Sequence, residues 1–296
     1  MMDLTKDDFE VLDRCPWDET SAEIAEFLYL DDVDCDVVRC PQCGVVYAKR
    51  RLNAKGLPKY WGDYLSRVHT HDIDAVEKRN KMYQIDYEFS SRYVSAGRVL
   101  DVGCGNGSFM DVYESHGYEV FGVEYGEEAA AAAEKHHHVR YGVFNEIDFG
   151  EEKFDLIIFR GVLQYIPYPK EYLKKAVSLL KPKGNFHVGG HLFITAQPNM
   201  GSLAFRLFGK NFTQPVTGAD FIGYTENALT EYLRSLGLHK KGERYFYPET
   251  PYASEEDDLL KMARAIQYKR DGQEINFKAP AYWGNMMTLI YTRKSS

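Results

Sequence analysis

The sequence predicts an α/β fold: a mostly parallel sheet with helices on both faces, preceded by a small cysteine-bearing segment. Three observations predict it. From Gly97 onward, short apolar runs alternate with helical patterns, which is how a parallel sheet reads in sequence. The first of these runs, Val99-Leu100-Asp101-Val102, enters a turn containing Gly103, Gly105 and Gly107. The second run ends on a carboxylate, Glu124.

The elements follow in order. Val99 to Val102 is a strand, and Ser108 to His116 opens an amphipathic helix. Glu119 to Glu124 is the second strand, and the alanine-rich Glu127 to Lys135 is a strong helix former. Val139 to Val143 reads as a third strand. Phe154 to Phe159 reads as a fourth, its unbroken apolar run suiting burial on both faces. Lys170 to Leu180 is a helix stopped by Lys181-Pro182-Lys183-Gly184, and Leu192 to Thr195 is a fifth strand. Thr225 caps a helix that runs to Leu236 and stops at Gly237, and Met286 to Tyr291 is a closing β-rich run. There are no internal repeats.

Composition narrows the function. The chain has 296 residues, a net charge of −8 and a pI near 5.6, without a basic run or a basic-aromatic stripe, which argues against nucleic acid as a partner. No apolar stretch approaches the roughly 20 residues of a membrane span. The acidic, polar beginning is no secretory signal, and five cysteines are an odd count for a disulfide framework, so a reducing cytoplasm is expected. Three zones emerge: residues 1–50, which hold four of the cysteines; 51–95, charged, aromatic and helical, a connecting or lid segment; and 96–296, the α/β domain.

The glycine turn carries the chemistry. Glycines at a strand-to-helix turn let backbone N–H groups approach a ligand closely. The order is Asp-x-Gly-x-Gly-x-Gly, and Ser108 stands where a dinucleotide fold would carry its third glycine. Asp101, just ahead of the turn, would repel a pyrophosphate but suits a cationic ligand such as S-adenosylmethionine, which carries an ammonium and a sulfonium. Glu124 follows Asp101 by 23 residues, the place where nucleotide-binding α/β folds hold a ribose-binding carboxylate.

At these residues the chain resembles the class I S-adenosylmethionine-dependent methyltransferases. The resemblance runs from about Gly97 to Lys240 and takes in the final strand. It rests on Leu-Asp-Val-Gly-Cys-Gly-Asn-Gly, Val-Phe-Gly-Val-Glu, Lys-Phe-Asp-Leu-Ile-Ile-Phe, the run from Gly161 to Pro167, Leu-Leu-Lys-Pro-Lys-Gly and Thr-Ala-Gln-Pro-Asn. Their order matches the ubiquinone-biosynthesis-like, small-molecule branch. The resemblance implies a Rossmann-like sheet of seven strands and methyl transfer to a small-molecule or carbohydrate-type acceptor, more at oxygen than at carbon. It also implies that Asp101, Gly103 and Gly105 cradle the methionine part and Glu124 the ribose. Phe144 and Asn145 would flank the adenine, and Arg160 to Gln164 would line the methyl-donor end.

Departures fall on the acceptor side. The family often has Leu-Glu-His where this chain has Leu163-Gln164-Tyr165, and a histidine where Asp220 precedes Tyr224-Thr225. Extra residues from Asn185 to His191 precede the fifth strand. Tyr165, His191 and Asp220 are the candidate catalytic groups, although methyl transfer from a sulfonium is an in-line displacement that positioning alone can largely drive. A cofactor-binding scaffold without transfer activity is the alternative. An NAD(P)-dependent oxidoreductase is disfavoured by Ser108.

Cys40-Pro41-Gln42-Cys43-Gly44 is half of a zinc knuckle, two thiolates on one turn. Relatives with an N-terminal zinc ribbon carry a second Cys-Pro-x-Cys, and the equivalent here is Cys15-Pro16-Trp17-Asp18. Cys15, Asp18, Cys40 and Cys43 would thus hold one structural zinc, with Cys35 as an alternative to Asp18, or the ribbon is degenerate and has lost its metal. Cys104 reads as a small buried filler. The run His136-His137-His138 at a helix end reads as favourable charge rather than a metal site. His69, His71 and His187 are further histidines of the connecting zone and of the segment before strand five.

Overall fold

The computed structural model describes residues 4–31, 34–61, 73–184 and 189–293. The N-terminal part is β-rich. Strand β1 (Phe9–Val11) pairs antiparallel with β5 (Arg50–Leu52), while β2 (Glu26–Leu30), β3 (Asp36–Arg39) and β4 (Val46–Ala48) form a meander. Helices α1 (Gly56–Trp61) and α2 (Ile73–Ser90) follow.

The α/β unit begins with β6 (Arg98–Val102), α3 (Ser108–Ser115), β7 (Glu119–Glu124), α4 (Glu127–Ala133) and β8 (His138–Tyr141). It continues with β9 (Leu156–Arg160), α5 (Pro169–Leu179), β10 (His191–Pro198), α6 (Leu203–Phe208) and β11 (Ile222–Gly223). The chain then forms α7 (Glu226–Ser235), β12 (Leu238–Tyr245), α8 (Glu255–Arg270) and β13 (Met286–Arg293). Seven strands make one sheet in the order β12-β13-β10-β9-β6-β7-β8, with β13 antiparallel to both its neighbours. The strands from β10 to β8 are parallel. This is the Rossmann-like α/β arrangement that the alternation predicts.

Local signals explain the helices that position the site. Pro169 starts α5, whose Leu173, Ala176 and Val177 are buried against the sheet. Thr225 caps α7 by accepting the Ala228 N–H at 3.2 Å. Strand β9 is central, and Leu156 through Phe159 are fully buried.

The N-terminal part is built into this unit. β11 pairs antiparallel with β4, completing a sheet in the order β11-β4-β3-β2. Trp17 packs edge-on against Tyr224 and Tyr232, with ring centroids 5.2 and 5.1 Å apart. Among the described residues, no helix is long and apolar enough to cross a membrane.

Candidate active site

The carboxyl ends of the parallel strands are where an open α/β sheet binds ligands. After β6 the chain turns through Gly103, Gly105 and Gly107 with φ of +77°, +57° and +85°, a region glycine enters without strain. At Gly103 a side chain is excluded twice over, since a Cβ there would lie 2.6 Å from Val162 Cγ2. At Gly105 the surroundings are open, and its backbone N–H donates to Glu124 Oε2 at 2.8 Å. Glu124 Oε1 accepts the Gly126 N–H at 2.7 Å, so one carboxylate ties the glycine turn to the tip of β7. Burial raises the Glu124 pKa, and the N–H groups of Gly126 and Gly105 oppose the rise.

Asp101 is 3% exposed, and its Oδ1 has no hydrogen-bond partner among the described residues. Burial pushes its carboxyl up to about 7; Arg160 opposes the rise and the Glu124 charge adds to it. Arg160, at the end of β9, donates from Nε to Asp86 Oδ2 of α2 at 2.9 Å. Asp86 is fully buried and also accepts from Thr195 Oγ1 at 2.8 Å, and Thr195 meets Thr288 at 2.7 Å. The guanidinium lies 4.5 Å from the Tyr83 ring centroid and 5.4 Å from that of Phe109. Arg160 is therefore braced from α2, β10 and β13 rather than left to sample rotamers.

On the other side of the turn, the segment after β8 carries Phe144 and Asn145. Lys175 of α5 donates from Nζ to the carbonyls of Phe144, Asn145 and Ile147 at 2.7, 2.9 and 2.6 Å, pinning this loop from beneath. Phe144 packs edge-on against Phe149 and Phe159, and Asn145 Oδ1 is buried without a partner among the described residues.

Asp101, Glu124, Arg160, Phe144, Asn145 and the glycine turn line one cavity of about 1040 Å³. That is slightly above the range of about 300–1,000 Å³ typical of a single drug-sized ligand, which leaves room for a cofactor and a second molecule. Beyond Gln164 the walls turn aromatic, with Trp61, Tyr165, Tyr168, Tyr172 and Tyr252 among the lining side chains. Two amide oxygens in this lining, Gln164 Oε1 and Asn285 Oδ1, are buried without partners among the described residues, while their nitrogens donate to Gly161 O and Pro280 O. Tyr165 also borders a side recess of about 150 Å³ that Asp220 lines.

Comparison with known proteins agrees with this geometry. Residues 72–192 match the methyltransferase domain family. The ubiquinone biosynthesis O-methyltransferase of Marinobacter nauticus is 27% identical over 173 residues, covering 53% of this chain and 66% of the relative. The Pseudomonas fluorescens enzyme of the same name is 26% identical over 171 residues, covering 46% of this chain and 72% of the relative. Among solved structures, an S-adenosylmethionine-dependent methyltransferase of Thermotoga maritima described as a possible histamine N-methyltransferase aligns with a TM-score of 0.54 and 19% identity, over 79% of this chain and 99% of that one. The magnesium protoporphyrin IX methyltransferase of Synechocystis with bound S-adenosylhomocysteine gives 0.51 and 14%, over 79% and 98%. Residues 72–192 thus carry a methyltransferase domain, and the fold around them is shared with S-adenosylmethionine-dependent methyltransferases.

The cofactor-side residues of this methyltransferase expected from sequence converge: Asp101, Gly103, Gly105, Glu124, Phe144, Asn145, Arg160 and Gln164 all line the one cavity. The acceptor-side expectations divide. Tyr165 and Asp220 come together, Asp220 taking side-chain hydrogen bonds from Tyr165 and from Thr217, the latter at 3.3 Å. His191 does not join them. It begins β10 beside Leu156 and Thr292, at the amino end of the parallel strands, whereas the cavity opens beyond Arg160. Four residues of strand, at about 3.3 Å each, place it roughly 13 Å from that edge. His191 opens β10 and so sits at the end of the sheet opposite the cavity, a direction that the apolar pattern of the strand does not give. His69, His71 and His187 lie outside the described residues. His137 Nε2 donates to Asp111 Oδ1 at 2.8 Å beneath the glycine turn.

Sequence reasoning missed Asp86, Lys175, Asn285 and the aromatic wall. Lys175 sits on the amphipathic helix after β9 and reads as an ordinary surface lysine. Asp86 and Asn285 arrive from segments without a motif.

At the N-terminus, one ligand-type atom from each of Cys15, Asp18, Cys40 and Cys43 lies within 4.8 Å of the others. Cys15 Sγ and Cys43 Sγ are 3.7 Å apart, and Cys40 Sγ is 3.5 and 3.4 Å from the two Asp18 oxygens. Cys35 is elsewhere: it is fully buried, its N–H donates to Asp31 Oδ1 at 2.7 Å, and its sulfur lies against Gly218.

Proposed function

We propose that this methyltransferase moves a methyl group from S-adenosylmethionine to a hydroxyl of a small-molecule or sugar-type acceptor. One observation carries the reading: a single cavity joins the carboxylate-bearing glycine turn to an aromatic chamber with unpaired hydrogen-bond acceptors. Asp101, whose Oδ1 lacks a partner, suits the cofactor's ammonium. Arg160 suits its carboxylate, Glu124 the ribose hydroxyls, and the loop of Phe144 and Asn145 the adenine. When bound, the cofactor supplies an activated methyl group on sulfonium sulfur. The chain's own part is to hold that group at Arg160 to Gln164 and to orient the acceptor against it. Gln164 Oε1 and Asn285 Oδ1 favour an acceptor with hydrogen-bond donors, and the aromatic walls favour planar or C–H-rich faces. The ubiquinone-biosynthesis names of the relatives fit O-methylation.

The test is release of S-adenosylhomocysteine in the presence of phenols, quinone precursors and sugar nucleotides. Turnover on a hydroxyl acceptor is expected. Tight S-adenosylhomocysteine binding with no turnover on any of them would favour the cofactor-binding scaffold instead.

The cysteine cluster fits one structural zinc. A tetrahedral ion with Zn–S of about 2.3 Å and Zn–O of about 2.0–2.2 Å requires S···S near 3.75 Å and S···O near 3.5–3.6 Å. The distances of 3.7 Å for Cys15–Cys43 and 3.4–3.5 Å for Cys40–Asp18 agree. Three thiolates and a carboxylate leave no open position, so the ion would brace the N-terminal turns and take no part in transfer.

A further inference from the structure

We propose that Tyr165 and Asp220 form a proton-accepting pair, in which Tyr165 faces the acceptor hydroxyl and Asp220 lies behind it as the proton's destination. This rests on the methyltransferase reading above and adds to it the group that activates the acceptor.

Tyr165 ends the short 3-10 turn Leu163–Tyr165 directly after β9, so its position is tied to the strand that carries Arg160. It borders both the main cavity and the side recess, and the Trp61 ring holds it edge-on at 4.8 Å. Asp220 lines only the recess, among Pro198, Met200, Val216 and Ile222. It is thus screened from the cavity and acts through Tyr165. Its backbone N–H and carboxylate are both tied to Thr217, at 3.0 and 3.3 Å. The titratable groups facing it are Tyr165 from the turn after β9 and Tyr29 from β2, whose hydroxyl is committed to Val216 O at 3.1 Å. Asp31, nearby, is bonded to the Gly218 N–H at 2.8 Å. Burial pushes Asp220 up to about 6, against the two hydrogen bonds, so at neutral pH it is ionised yet basic enough to take a proton.

The step balances without a further reactant. The acceptor oxygen bonds to the methyl carbon as the carbon–sulfur bond breaks, and its electron pair stays on sulfur as a thioether. The acceptor proton passes to the Tyr165 oxygen while the Tyr165 proton passes to Asp220. Tyr165 is the catalytic residue, and Asp220 is a positioning residue and proton sink.

The experiment compares wild type, Tyr165→Phe and Asp220→Asn. Calorimetry with S-adenosylhomocysteine checks the underlying reading, and all three proteins should bind it within about twofold. In wild type labelled with ¹³Cζ-tyrosine, the NMR signal assigned to Tyr165 by its loss in Tyr165→Phe should step with a midpoint near pH 6, and Asp220→Asn should abolish the step. With catechol as probe acceptor, methyl transfer should rise with pH through about 6 in wild type. It should fall about 100-fold or more in Tyr165→Phe at unchanged KM for S-adenosylmethionine. A Tyr165 signal flat across this range, a step that survives in Asp220→Asn, or wild-type turnover by Tyr165→Phe overturns the pair. Failure of wild type to bind S-adenosylhomocysteine overturns the methyltransferase reading as well.

Discussion

The Glu124 charge opposes the ionisation of Asp101, and burial raises both carboxyls. For Asp101, whose value rises to about 7 from the ordinary 3.8, the proton is held more tightly in the folded, cofactor-free chain than in the unfolded one. That contribution to stability is complete below pH 3.8 and is lost as pH rises through about 7. A bound ammonium reverses the preference by favouring the carboxylate. S-adenosylhomocysteine affinity is therefore expected to increase about tenfold between pH 6 and pH 8, following the ionised fraction of Asp101. Asp101→Asn should bind weakly with no such rise, which calorimetry at the two pH values checks. Asp101, the glycines and Glu124 were legible because a strand, a turn and a strand tip are local in sequence. Asp86, Asn285 and the Tyr165–Asp220 contact were not, since packing across 74 residues, in the case of Asp86 and Arg160, brings such partners together.

Elements hold these residues by backbone as much as by side chain. The loop after β8 has little regular structure, yet Lys175 collects three of its carbonyls from α5. Lys175→Met should leave the sheet folded but release the loop, weakening S-adenosylhomocysteine binding several-fold, by about 1–2 kcal/mol for the lost hydrogen bonds. Retention of wild-type affinity would show that the loop needs no such anchor. The strands and helices around the site were legible because their apolar periodicity is strong. β12 and α8 were not: β12 is a charged edge strand, Leu238-His239-Lys240-Lys241, and α8 buries only Asp258, Met262 and Ala265. A narrow apolar stripe gives periodicity little to detect. His191 shows the converse limit, since pattern finds a strand without giving the direction that decides which end faces the ligand.

Across the whole molecule, the N-terminal part is fastened to the α/β unit by β11 on β4, by Trp17 between Tyr224 and Tyr232, and by the Tyr29 hydroxyl, which donates to Val216 O at 3.1 Å. Tyr224 passes the connection on, donating to Leu163 O at 3.0 Å in the turn that carries Tyr165. If the cluster holds the proposed zinc, a chelator is expected to lower Tm by several degrees, while S-adenosylhomocysteine binding persists because no cysteine of the cluster lines the cavity. Elemental analysis of the purified protein without zinc would remove this part of the account.

The glycine turn between β6 and α3, with Asp101 and Glu124, is the proposed seat of S-adenosylmethionine. Isothermal titration of S-adenosylhomocysteine into wild type and Glu124→Ala tests it most directly. Saturable one-to-one binding to wild type is expected, with a loss of at least about tenfold in Glu124→Ala, the scale of a charge-assisted hydrogen bond. No heat with S-adenosylhomocysteine, binding of NAD in its place, or equal affinity in the two proteins would contradict it.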